Sequence, residues 1–92
     1  CAGISYRKLD AKMKGLYTEQ MAYLDGDARD ELRSAQAAWV EYRDKSCLYE
    51  AGKDPRSYME SINIACLSRI TQSRIVTLNE YLACRENGCP YD

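Results

Sequence analysis

The side chains with chemical potential lie in one stretch, where Gln36, Trp39, Arg43 and Cys47 recur at i, i+3, i+7 and i+11. On an α-helix that spacing gathers an amide, an indole, a guanidinium and a sulfur into a single stripe. Two chemistries fit it. In one, Trp39 anchors a core, Gln36 and Arg43 are buried polar groups satisfied by neighbouring helices, with Gln36, Thr71 or a helix-end carbonyl as acceptors for Arg43, and Cys47 is a structural disulfide. In the other, Arg43 and Gln36 line a ligand site. Catalysis by Ser or Cys lacks its usual base, because the chain contains no histidine. No Asp or Glu residues form an evident convergent pair. A Cys thiolate beside Arg43 or Arg69 is the one reactive arrangement left, and the reading is that the chain is not an enzyme.

Five cysteines in 92 residues point to an oxidising compartment and to disulfides. Structural zinc is disfavoured, since Cys47, Cys66, Cys84 and Cys89 lack paired C-x-x-C spacing and no imidazole can complete the shell. No cofactor is expected. Cys47 and Cys66 flank the second inter-helix connection, and a bridge between them would contribute about 2–4 kcal/mol. For Cys66 to meet Cys47, either the third helix starts late or residues 55–61 fold back over the hairpin, and the bridge with the fold-back is the expectation. A Cys84–Cys89 bridge would close a small loop, while a rival pairing joins Cys1 to Cys84 or Cys89. The spacing does not choose between them. Cys1 is either the lipid-bearing residue of a lipoprotein or the unpaired end of a trimmed fragment.

The elements that must position these residues are three helices. Leu9, Met13, Leu16, Tyr17 and Leu24 keep a 3.6-residue period over residues 4–24, with Gln20 and Met21 between them. Gly15 weakens this helix by roughly 1 kcal/mol relative to Ala and would permit close approach of a neighbour. Asp25-Gly26-Asp27 then punctuates the chain, with Gly26 ending one helix in the left-handed region and Asp27 capping the next. The second helix covers 27–50, with Leu32, Ala35, Gln36, Trp39, Tyr42, Arg43 and Cys47 facing inward and Arg33, Glu41 and Lys45 outward. Gly52 and Pro55 end it. The third covers 57–84, opened by a Ser57/Glu60 capping box, with Ile62, Cys66, Ile70, Leu78 and Leu82 inward and Arg69, Ser73 and Arg74 sharing that half. A turn follows, since Asn87-Gly88 takes positive φ readily and Pro90 cannot continue a helix. The fold expected is all-α: one domain over residues 1–92, a small disulfide-stapled three-helix antiparallel bundle with a short C-terminal turn.

Thirteen basic against fourteen acidic side chains leave a formal charge of -1, so nothing favours nucleic acid. No apolar run approaches a membrane span. Locally the balance differs. Asp25, Asp27, Asp30 and Glu31 face only Arg29 within residues 25–31, forming an acidic knob on a tip where a basic protein partner could dock. Lys53 and Arg56, on the second connection, are the alternative, as cations able to enter a carboxylate-lined cleft. Eight tyrosines without a phenylalanine supply a third surface suited to interfaces.

The pattern Gln36-x-x-Trp39-x-x-Tyr42-Arg43-Asp44-x-x-Cys47, followed by Cys66-Leu67-x-x-x-Thr71-x-x-Arg74, strongly resembles the lysozyme-inhibitor LprI-like domain family of secreted bacterial proteins. Upstream, Cys1, Asp10, Met13 and Tyr17 are similar to that family's first helix, where a cysteine precedes D-x-x-L-N-x-x-Y. Here Met13 replaces the leucine and Lys14 the asparagine. The resemblance spans roughly residues 1–82 and makes Cys1 look like an internal family cysteine. It implies a periplasmic or secreted helical domain, attached to the outer membrane only if Cys1 is lipidated. It also implies a protein partner, since some family members inhibit lysozyme. Fold transfers better than activity across such a resemblance: Gln36, Trp39, Tyr42, Arg43, Asp44, Thr71 and Arg74 read as architecture, and the motif does not locate an inhibitory surface.

Overall fold

A computed structural model describes residues 2–52, 58–86 and 88–89, apart from the side chains of residues 2, 58, 59 and 86. Three helices, α1 (Ala2–Tyr23), α2 (Gly26–Ala51) and α3 (Tyr58–Ala83), are followed by a 3₁₀ turn at Cys84–Glu86. The partners of α2 in α1 and in α3 run opposite in sequence, as Asp10 meets Arg43, Gln36 meets Arg74 and Cys47 meets Cys66. The order is therefore up, down, up, in a rod 49 Å long. This is the expected three-helix antiparallel bundle. The α3 backbone lies close to both other helices, whereas α1 and α2 approach each other at few points, so long side chains must fill the space between them.

The turn between α1 and α2 is tighter than the spacing predicts. Gly26 has φ 56, the left-handed value expected, but it already belongs to α2. The N-cap is Asp25, in extended conformation and without a side-chain capping bond, while Asp27 stands in the first turn. At the other end Gly52 has φ 76, and its N–H donates to the carbonyls of Leu48 and Tyr49, ending α2 as a glycine C-cap should. Gly15 grants no close approach, because a Cβ there would meet only open space.

Two apolar clusters make the core. Met13, Ile75 and Leu78 form one, packed by Leu9, Leu16, Tyr17, Trp39 and Tyr81. Met21, Leu24 and Leu32 form the other, toward the α1–α2 turn, with Tyr17, Ala28 and Tyr81 against it. Leu32, Gln36, Arg43 and Cys47 are the buried residues of α2. Tyr42, expected inward, is 60% exposed, and Ala35 is exposed too. At 100° per residue they sit roughly 90–110° around the helix from the mean direction of the four buried residues, on the flank of the stripe. Ile62 is also exposed, since antiparallel pairing sets it opposite the last residues of α2, where cover runs out.

Both tail and interhelix bridges are present. Cys47–Cys66 joins α2 to α3 with Cα atoms 5.5 Å apart, and Cys84–Cys89 closes the tail with Cα atoms 5.1 Å apart. The rival pairing of Cys1 with Cys84 or Cys89 is thereby excluded. The difference in level between Cys47 and Cys66 is met by α3 starting beyond the end of α2; residues 58–61 are helical rather than folded back. Cys1, Lys53, Pro55, Arg56, Ser57, Asn87 and Pro90 lie outside the described residues, and with them Cys1's fate and the Ser57 half of the capping box.

Candidate functional site

The stripe on α2 is a network closed on itself. Gln36 donates from Nε2 to the sulfur of buried Met13 at 3.0 Å and accepts at Oε1 from Arg74 Nε at 3.0 Å. Arg43 donates from Nε to Asp44 at 3.0 Å, and from Nη1 to Asp10 at 3.2 Å and Thr71 Oγ1 at 3.4 Å. Trp39 is clasped by cations, with the Arg43 guanidinium 5.1 Å and that of Arg74 5.7 Å from its ring centroid. Burial works against the Arg43 charge, but its hydrogen bond to Asp44, the neighbouring Tyr6 and Asp44 charges and its hydrogen bond to Asp10 outweigh it and raise its pKa above the ordinary value. One donor, Arg74 Nη2, is buried with no hydrogen-bond partner, and its guanidinium faces the rings of Trp39 and Tyr81 instead. Gln36, Trp39, Arg43, Asp44, Thr71 and Arg74 thus serve one internal network, and only Tyr42 of the motif stands outside it.

Thr71 was foreseen among the acceptors for Arg43, but Gln36 bonds Arg74 and Met13 instead. Asp10 is the partner that spacing did not supply. It lies 33 residues away on α1, where it also pairs with Lys14 at 3.0 Å. Gln20, fully buried, accepts from Arg85 Nη2 at 2.9 Å and so ties the tail to α1. Sequence periodicity carries no signal for such links, because it reports faces of one helix and not register between two.

Among the described residues, surface features lie beside this network. At the α1–α2 turn Asp25, Asp27, Asp30 and Glu31 are all exposed, as their place on a tip requires. Asp30 pairs with Arg33 at 2.9 Å. Beside them, Gln20, Leu24, Ala28, Glu31, Leu32, Ala35 and Tyr81 line a mainly apolar pocket of about 200 Å³. Along the α2–α3 seam an open groove of about 490 Å³ runs past Trp39, Tyr42, Arg69 and Arg74, and Arg69 is bridged there to Glu50 at 2.8 Å. At the end of α2, Leu48 and Tyr49 are 70% and 86% exposed and flank a hollow of about 530 Å³ with Lys45 and Gly52. Neither the pocket nor this apolar end was legible as such in the sequence. Among the described residues no three His, Cys, Asp or Glu side chains are grouped to hold a metal ion, and no helix is long and apolar enough to cross a membrane.

The family model described as "Lysozyme inhibitor LprI" matches residues 1–78, ending within α3. An uncharacterized protein of Rhizobium meliloti (strain 1021) is 30% identical over 101 residues, an alignment covering 95% of this chain and 73% of that protein. No solved structure matches the chain.

Proposed function

This chain belongs to the lysozyme inhibitor LprI family, and on that premise we propose that it is a non-enzymatic bacterial protein that inhibits lysozyme-type glycosidases by binding them. Residues 1–92 would act as one domain. The observation that carries the reading is a division of labour along α2. The polar groups of the stripe are taken up by internal partners, while the four carboxylates at the α1–α2 turn are exposed. Glycosidases of this class hold two carboxylates across a cleft, so an inhibitor must fill the cleft or cover its mouth. Against a basic enzyme, the acidic tip offers steering and a complementary docking face. Two disulfides fit an oxidising compartment, and we place the protein in the periplasm or outside the cell.

The test is muramidase activity on cell walls, with the purified protein in molar excess over a basic lysozyme. Loss of clearing together with a raised melting temperature of the enzyme supports inhibition by binding; no change in either rejects it. A second reading has its own observation. Leu48 and Tyr49, exposed at the end of α2, suit an interaction module for another envelope protein, and capture of one stoichiometric protein other than lysozyme from an envelope extract would favour it.

A further inference from the structure

We infer that the apolar pocket beside Glu31 is the anchor socket of the docking face, taking one aliphatic or aromatic side chain that the partner presents between lysines or arginines. The inference rests on the inhibitor reading above and adds where the partner seats. The socket exists because two of the four α2 residues that line it are alanines, Ala28 and Ala35, two turns apart, where larger side chains would close the seam between the helices. Its floor is the second core cluster, Leu24 and Leu32, with the buried Gln20 beside them. At about 200 Å³ it falls below the roughly 300–1,000 Å³ of small-molecule sites, which suits a single side chain rather than a free ligand. Anchors of this kind carry much of the energy of protein interfaces.

Charge selects the flanks. Glu31 stands on the rim, Asp27 is one turn before it and Asp25 is at the N-cap, all exposed. Of the cations nearby, Arg33 bridges to Asp30, and Arg85 is tied to Gln20 and the Glu19 carbonyl and lies over the Tyr23 ring, while Arg29 is exposed and offsets one of the four carboxylates of residues 25–31. An apolar side chain within a basic surface is therefore the complementary occupant.

Socket and rim predict different kinetics, because rim charges govern encounter while a buried anchor governs residence. With a basic egg-white lysozyme immobilised, Ala28→Leu and Ala35→Leu should each raise the dissociation rate at least tenfold and leave the association rate near wild type. Asp27→Lys with Glu31→Lys should slow association at least tenfold and flatten its salt dependence. Both leucine variants should keep wild-type helicity and melting temperature. Binding by the wild type with unchanged dissociation in both leucine variants overturns the socket and leaves the inhibitor reading standing. A second arm is independent of lysozyme: the peptide Arg-Lys-Leu-Lys-Arg should shift the methyl resonances of Leu24, Ala28 and Leu32, and Arg-Lys-Ser-Lys-Arg should not. If lysozyme fails to bind while the leucine peptide does so selectively, the inhibitor reading falls and the socket stands. If neither peptide shifts those methyls, the socket is overturned.

Discussion

Arg43 of α2 reaches Asp10 of α1 across 3.2 Å, with 9% of the arginine side chain and 20% of the aspartate exposed. The contact bridges the two helices whose backbones stand furthest apart, and the same guanidinium also meets Asp44, Thr71 and the Trp39 ring. Arg43 thus links all three helices.

The junction should be measurable as a coupling. Asp10→Asn leaves Arg43 with Asp44 and Thr71 and should cost about 1 kcal/mol. Arg43→Leu removes the bonds to Asp10, Asp44 and Thr71 together and should cost about 2 kcal/mol, since Asp10 keeps Lys14 and Asp44 is largely in solvent. A double-mutant cycle by urea denaturation should return a coupling of about 1 kcal/mol between them, and additive effects would show that the pair does not join the helices.

Neighbours on the same helix should behave oppositely. Trp39, packed on the Met13 cluster and clasped by two arginines, should lose about 3 kcal/mol of stability on Trp39→Ala. Tyr42→Ala, on the exposed flank, should stay within about 0.5 kcal/mol of wild type. Urea unfolding midpoints compare the two, and a large loss at Tyr42 would restore it to the core.

Tyr6 contributes to the fall in stability at alkaline pH. Burial first, then the Asp10 and Asp44 carboxylates, raise its pKa above the ordinary 10.0, against the opposing pull of Arg43 and Lys14. The folded chain therefore holds this proton more tightly than the unfolded one, so its contribution is fully present below pH 10 and is lost as pH rises through the folded value. Tyr6→Phe should flatten the fall in stability above pH 10, followed by thermal melts from pH 8 to 11.5; an unchanged fall would place the alkaline transition elsewhere.

The disulfides should rank by loop length. Removing Cys47–Cys66, with a separation of 19, should cost about 3 kcal/mol, and removing Cys84–Cys89, with a separation of 5, about 2 kcal/mol on the chain-entropy model. Paired Cys→Ala variants in urea measure both losses, and a reversed order would mean that native-state packing around the tail outweighs loop entropy.

Periodicity was enough to read the three helices and the buried positions 32, 36, 43 and 47, because burial on one face of a helix repeats at a fixed angle. It misjudged Tyr42 and Ala35, which lie at the edge of that face, where a neighbour's position decides burial. Asp10 as the partner of Arg43, Ile75 in the core and the pocket between Leu24, Ala28 and Tyr81 depend on how far α1 and α2 stand apart and on which residues fall level. No spacing within one helix encodes that. The acidic tip was readable, being local in sequence, whereas the socket beside it needs three helices to exist.

The central claim is that the partner is met at the α1–α2 end while the Trp39–Arg43 junction is architecture. Hydrogen–deuterium exchange of this protein with and without saturating basic egg-white lysozyme tests it directly. Protection confined to residues 24–35 at the turn and first part of α2 is the predicted result. Protection centred instead on the α2–α3 groove at Trp39, Tyr42, Arg69 and Arg74, with residues 24–35 unchanged, would contradict it.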